Sequence, residues 1–150
     1  MTSLLVVDWR QADFARLYDR WLEMEALRQQ IYRRPVPVDR CEAFTAHLRT
    51  LADDPMHVGA ASQVGDEWAG AMIARVAGSS ASLALMVLDL HAPYSAAARR
   101  GMYQWLKDAL RSHGVGTLAV TLNRPLAVEE AMWLALGTQT GHNTYQVTLS

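Results

Sequence analysis

Between Met56 and Leu90 three strand-like runs follow one another with only two short turns between them, so this chain must build an antiparallel meander in its middle. Met56 to Val64 and Trp68 to Val76 are joined at Gly65-Asp66, a Gly-first dipeptide suited to a tight hairpin. Ala77-Gly78-Ser79-Ser80 supplies the second turn. Leu83 to Leu90 is then almost continuously apolar, interrupted only by Asp89, which predicts a central strand covered on both faces.

Helical periods flank this meander. Ser3 to Val7 reads as an opening strand, after which Phe14, Leu17, Trp21, Met24, Leu27 and Ile31 recur at spacings of three and four and predict an amphipathic helix over Asp13 to Tyr32. Pro35-Val36-Pro37 ends it. Asp39-Arg40-Cys41-Glu42 has the form of a capping box opening a second helix to about Asp53. Beyond the meander, Met102, Trp105, Leu106, Ala109, Leu110 and His113 share a helix face that begins at Ala96 and stops at Gly114. Thr117 to Leu122 alternates as a strand, Val128 to Leu136 is a short helix ended by Gly137, and Tyr145, Val147 and Leu149 alternate in a last strand. The expected order is βααβββαβαβ, with no repeat and no linker long enough to divide residues 1–150 into two domains.

Composition narrows the function classes. With 51% hydrophobic and 19% charged residues, and 14 basic against 15 acidic side chains, disorder is excluded and a near-zero net charge gives no electrostatic reason to expect nucleic acid. No window approaches about 18 uncharged apolar residues, and Met1 to Trp9 lacks a leader pattern, so neither membrane spanning nor secretion is expected. The single Cys41 fits a reducing compartment, hence a cytoplasmic location, and ligand-spaced Cys or His pairs for a structural metal are lacking.

The order, and especially the half from Leu83 to Leu149, resembles the GNAT superfamily of acyl-CoA N-acyltransferases over essentially the whole chain. The resemblance implies an α/β (α+β) fold: a mixed, mostly antiparallel sheet of six to seven strands flanked by about four helices. It also implies acetyl-CoA as cosubstrate, a small-molecule or peptide amine as acceptor, and is compatible with a homodimer. The family's phosphate loop, Arg/Gln-x-x-Gly-x-Gly/Ala, lets backbone N–H groups at a helix start approach the CoA pyrophosphate. Here the counterpart is Tyr94-Ser95-Ala96-Ala97-Ala98-Arg99-Arg100-Gly101. The opening Arg/Gln falls on Tyr94 or Ser95, the first Gly on Ala97 or Ala98, and the second on Arg99 or Arg100. Arg99 and Arg100 in the first turn of a helix oppose its dipole, a conflict that an anionic partner would remove.

By the same resemblance the backbone of Leu88 to Leu90 supplies the thioester oxyanion donor and Asn123 borders the cofactor. The family's tyrosine acid, four residues before the Leu-Gly glycine, falls on Trp133, whose indole has no useful acidity. Candidate bases are Asp89 and His91, then Asp66 or Glu67. Asp89 stands out because a carboxylate in an apolar strand costs several kcal/mol unless it is paired, for instance with Arg75. Trp21 with Glu23 and Glu25 can border an acceptor cleft. Two functions are open at this point: an N-acetyltransferase working by direct attack in a ternary complex, and a non-catalytic module of the same fold serving in ligand binding or protein assembly.

Overall fold

A computed structural model describes residues 3–33, 40–90 and 94–150. Strand β1 (Leu4–Asp8) leads through a 3-10 turn (Trp9–Gln11) into helix α1 (Phe14–Tyr32), and α2 (Cys41–Ala52) follows. The meander is β2 (His57–Val64), β3 (Glu67–Ala77) and β4 (Ser80–Leu88). The remainder is α3 (Ser95–Ser112), β5 (Thr117–Thr121), α4 (Ala127–Leu136), β6 (Thr138–Gly141) and β7 (Thr144–Thr148). The strands form one seven-stranded sheet in the order β1-β2-β3-β4-β5-β7-β6, with β4 in the middle. All pairings are antiparallel except β4 with β5.

Local chemistry explains the elements. Asp13 caps α1, its carboxylate accepting the N–H groups of Ala15 and Arg16 at 3.1 and 3.3 Å. Gly65 and Gly78 carry the two meander turns at φ of 59° and 64°, a region that side chains with a Cβ rarely enter. Helix α3 packs across β1 to β3 and α1 across β3 and β4. Around Trp21 a small aromatic cluster ties α1 to α2, with the rings of Tyr18, Trp21 and Phe44 at 5.5–5.6 Å centroid separation.

Four expectations change. The central strand runs from Ser80 to Leu88, not Leu83 to Leu90, and only its last three residues are buried in succession. Its first half stands at the end of the sheet where β4 and β5 enter side by side, which leaves alternate side chains open to solvent. The stretch Tyr94 to Gly101, which the resemblance matches to the family's phosphate loop, is helix from Ser95 onward, because three alanines with two arginines favour helix and no glycine interrupts them. Helix α2 is entered through Arg40 without a side-chain cap; Asp39 lies outside the described residues, as do Pro35-Val36-Pro37. The polar Thr138–Gly141 adds an edge strand, all of it exposed, that hydrophobic alternation could not signal.

One irregularity positions the site. Ile73 of β3 pairs with Leu85, but the next residue, Ala74, pairs with Leu83, so Ala84 is an extra residue on β4. Such a bulge bends its strand and increases the local twist. Pairing of β4 with β5 stops just before it, at Ser82 with Ala119. Beyond that point the two strands part.

Candidate active site

The gap between the parted strands is a cavity of about 250 Å³. Leu83 to Met86 of β4 form one wall and Thr121 to Arg124 the other, while Trp21, Glu25 and Arg28 of α1 and Glu129 of α4 roof it. Arg28 holds the roof together. Its guanidinium donates to Glu25 Oε1 at 2.7 Å, to Glu129 Oε1 at 2.5 Å and to the Arg124 carbonyl at 3.1 Å. The Glu129 carboxylate, 3% exposed as a residue, also accepts the Leu126 N–H at 2.9 Å, closing the entry of α4. One turn further along α1, the Tyr32 hydroxyl donates to the Pro125 carbonyl at 2.7 Å. These bonds fix Arg124 at φ 49°, a left-handed backbone that costs a non-glycine residue about 1–2 kcal/mol. Asn123 lines this cavity and also a second one, of about 440 Å³, that reaches Tyr32, Glu130, His142 and Asn143.

At the far end of β4 one backbone donor leaves the pairing of the sheet. Leu88 opposes Gly70 of β3, yet its N–H donates to the Met24 Sδ at 3.2 Å. A strand N–H lies in the sheet plane toward one neighbour or the other, so that of Leu88 faces the side that β5 has left. Both Leu88 and Met24 are fully buried. Asp89 follows immediately, just past the strand rather than within it, and is 6% exposed. It meets Arg20 of α1, Nη1 to Oδ2 at 3.9 Å, and not Arg75, which lies 3.7 Å from Asp54. Arg20 also meets Glu23 Oε1 at 3.2 Å, so Glu23 stays away from the cavity that Glu25 lines.

Leu90 is half-buried in the bend beyond Asp89, and His91 lies outside the described residues. Tyr94 is the N-cap of α3. Desolvation first, then the nearby Asp89 and Glu67 carboxylates, raise its pKa against the opposing Arg20 charge, so its phenol keeps its proton at neutral pH. Glu67 itself stands exposed at the hairpin, beside Asp66.

Helix α3 begins with neither a side-chain cap nor an acidic residue in its first turn. Ala96 and Arg100 are exposed and Ala97 and Arg99 half-buried, whereas Ala98 is buried and a Cβ on Gly101 would meet Val6 of β1 at 3.0 Å. Ala98 and Gly101 therefore serve packing. Because the helix starts at Ser95, Arg99 and Arg100 fall in its second turn, where the opposition to the helix dipole has largely faded. Trp133 is wholly buried and meets Tyr103 of α3 edge-on, centroids 6.2 Å apart. Among the described residues no cluster could hold a metal ion, and no helix is long and apolar enough to cross a membrane.

The fold is that of solved GNAT acetyltransferases. An acetyltransferase of the GNAT family from Staphylococcus aureus Mu50 superposes with a TM-score of 0.74 at 7% identity, over 99% of this chain and 100% of that one. The PaiA N-acetyltransferase from Thermoplasma acidophilum, in complex with coenzyme A, gives 0.65 at 9% identity, over 97% and 99%. The ribosomal-protein-S18-alanine N-acetyltransferase from Escherichia coli gives 0.63 at 16% identity, over 99% and 95%. No family model matches the sequence, and no curated protein sequence does.

Of the residues singled out in the sequence, Asn123 lines the cavity, while Leu88 and Asp89 lie beyond it at the end of β4. Arg28 and Glu129 line the cavity as well, without a sequence signal of their own. Glu129 sits three residues after a leucine N-cap, so the usual Ser/Thr signal of a capping box is missing. Arg28 reads on its own as one more charge on a solvated helix face.

Proposed function

We propose that this protein is an acyl-CoA N-acyltransferase that passes an acetyl group from acetyl-CoA to a primary amine in a ternary complex. The observation that carries the reading is the parting of β4 from β5, with the Leu88 N–H further along β4 paired to the Met24 sulfur rather than to a neighbouring strand. An extended pantetheine arm can lie there as a substitute strand, and a thioester oxygen can accept that N–H as charge develops on it. The amine nitrogen attacks the thioester carbon; the N–C bond forms, the C–S bond breaks, and coenzyme A leaves as a thiolate. Asp89, adjacent to Leu88, takes the proton that the amine loses, directly or through a water, and the outlying His91 is the second candidate for that role. Tyr94, protonated and near Asp89, is a proton source for the thiolate in place of Trp133.

Coenzyme A supplies the activated acyl group, and the residues present fit it in part. The start of α3 at Ser95, Ala96 and Ala97, without a side-chain cap, suits a pyrophosphate. Arg99 and Arg100, one turn on, can reach phosphates with charge. Replacing both by alanine should weaken acetyl-CoA binding by about 1.5–3 kcal/mol for each charge-assisted hydrogen bond removed, and should flatten the fall of affinity with salt. Titration calorimetry of the double variant at two salt concentrations reads this; unchanged affinity leaves the arginines to solvent.

A second reading, a binding module without catalysis, is favoured by the absence of glycine before Gly101 in the loop and by the buried Trp133. Titration of the wild-type protein with acetyl-CoA, followed by thiol release with a panel of amines, separates the two. Binding with turnover supports the transferase. Binding without turnover on any amine favours the module, and no binding removes the transferase and leaves a module that serves another ligand or protein assembly.

A further inference from the structure

We infer that Met24 is the acyl gate of this site: its thioether occupies the place of the thioester oxygen on the Leu88 N–H, and it yields only to a ligand that brings a better acceptor. The inference rests on the acyl-CoA reading above. A backbone donor this deeply buried is normally paired with oxygen, because leaving it unmade is costly. Here its partner is a thioether, a weak acceptor, at 3.2 Å. The cavity runs along β4 from Leu83 to Met86 and includes neither Leu88 nor Met24, which are paired two residues further along the strand. Met24 lies on the same face of α1 as Trp21 and Arg28, which roof the cavity, three residues after one and four before the other. Methionine is unbranched, with three side-chain torsions, so it can withdraw without moving the helix.

The gate makes a signed prediction about two ligands. Acetyl-CoA carries the carbonyl that replaces the sulfur, whereas CoA has no carbonyl at that position and leaves the N–H···S contact in place. Met24→Leu keeps the volume and removes the acceptor, so acetyl-CoA has nothing to displace. Its affinity relative to CoA should rise about 2- to 10-fold, the worth of a modest hydrogen bond. Met24→Gln keeps the length and adds a strong carbonyl acceptor, which should lower the same ratio towards one.

Calorimetric titration of acetyl-CoA and CoA into wild type and both variants gives the ratios, with thermal unfolding as a check that each variant is folded. Opposite shifts in the two variants support the gate. Poorer packing alone would move both ligands together, so equal ratios in wild type and Met24→Leu overturn it even if Met24→Gln fails to fold. Wild-type protein that binds neither ligand overturns the acyl-CoA reading, and the gate with it.

Discussion

Arg28→Ala is expected to lower the melting temperature by on the order of 10 °C. The substitution leaves Glu129, a side chain only 5% exposed, with a single backbone N–H for its charge. Removing one partner of a buried ion pair costs about 3–5 kcal/mol, and a chain of this size melts roughly 2–4 °C lower for each. The Arg124 carbonyl is deprived of its donor as well, which loosens a strained backbone at the cavity wall. Arg28→Met combined with Glu129→Leu should recover most of the stability, since apolar replacement of a whole pair is often neutral. Thermal unfolding of the single and double variants decides it. A single variant that melts within a degree or two of wild type would mean that the pair is solvated and contributes little.

Asp89→Asn carries the largest effect on activity. If Asp89 takes the amine proton, the amide should reduce turnover about 10²–10⁴-fold while acetyl-CoA affinity is nearly kept, because the change falls on the transition state rather than on cosubstrate binding. Steady-state rates and calorimetry on the same preparation test both halves. Turnover left intact would move the role to His91, Asp66 or Glu67. Affinity that falls in parallel with rate would instead mean that the interaction between Asp89 and Arg20, 3.9 Å in length, holds the end of β4 in place.

Most of the fold was legible because periodicity reports burial, and burial is what these elements share. The switch from a spacing of three or four to a spacing of two falls within two or three residues of the true boundaries over most of the chain. The failures are places where another force decides. Thr138–Gly141 pairs through its backbone and one exposed hydroxyl contact, Thr140 to Thr144 at 3.3 Å, and buries no side chain. Ala96 to Gly101 has the position of a loop in the family pattern but the propensity of a helix, and propensity prevails. Along the chain, the sequence singles out Leu88 and Asp89 as candidates by their place at the end of a central strand. Arg28 and Glu129 are 101 residues apart, and nothing in either neighbourhood announces the other. Met24 belongs to the core by every sequence criterion, and its second role depends on which backbone group its sulfur meets.

The extra residue at Ala84 has a consequence for how such a site endures. The opening between the strands follows from parity: one strand carries a residue more than its neighbour, whichever residue that is. Counting is insensitive to spelling, so substitution after substitution leaves the opening where it was, and only an insertion or deletion on β3 or β4 could close it. The same fold accordingly stands at 7% sequence identity with a solved acetyltransferase.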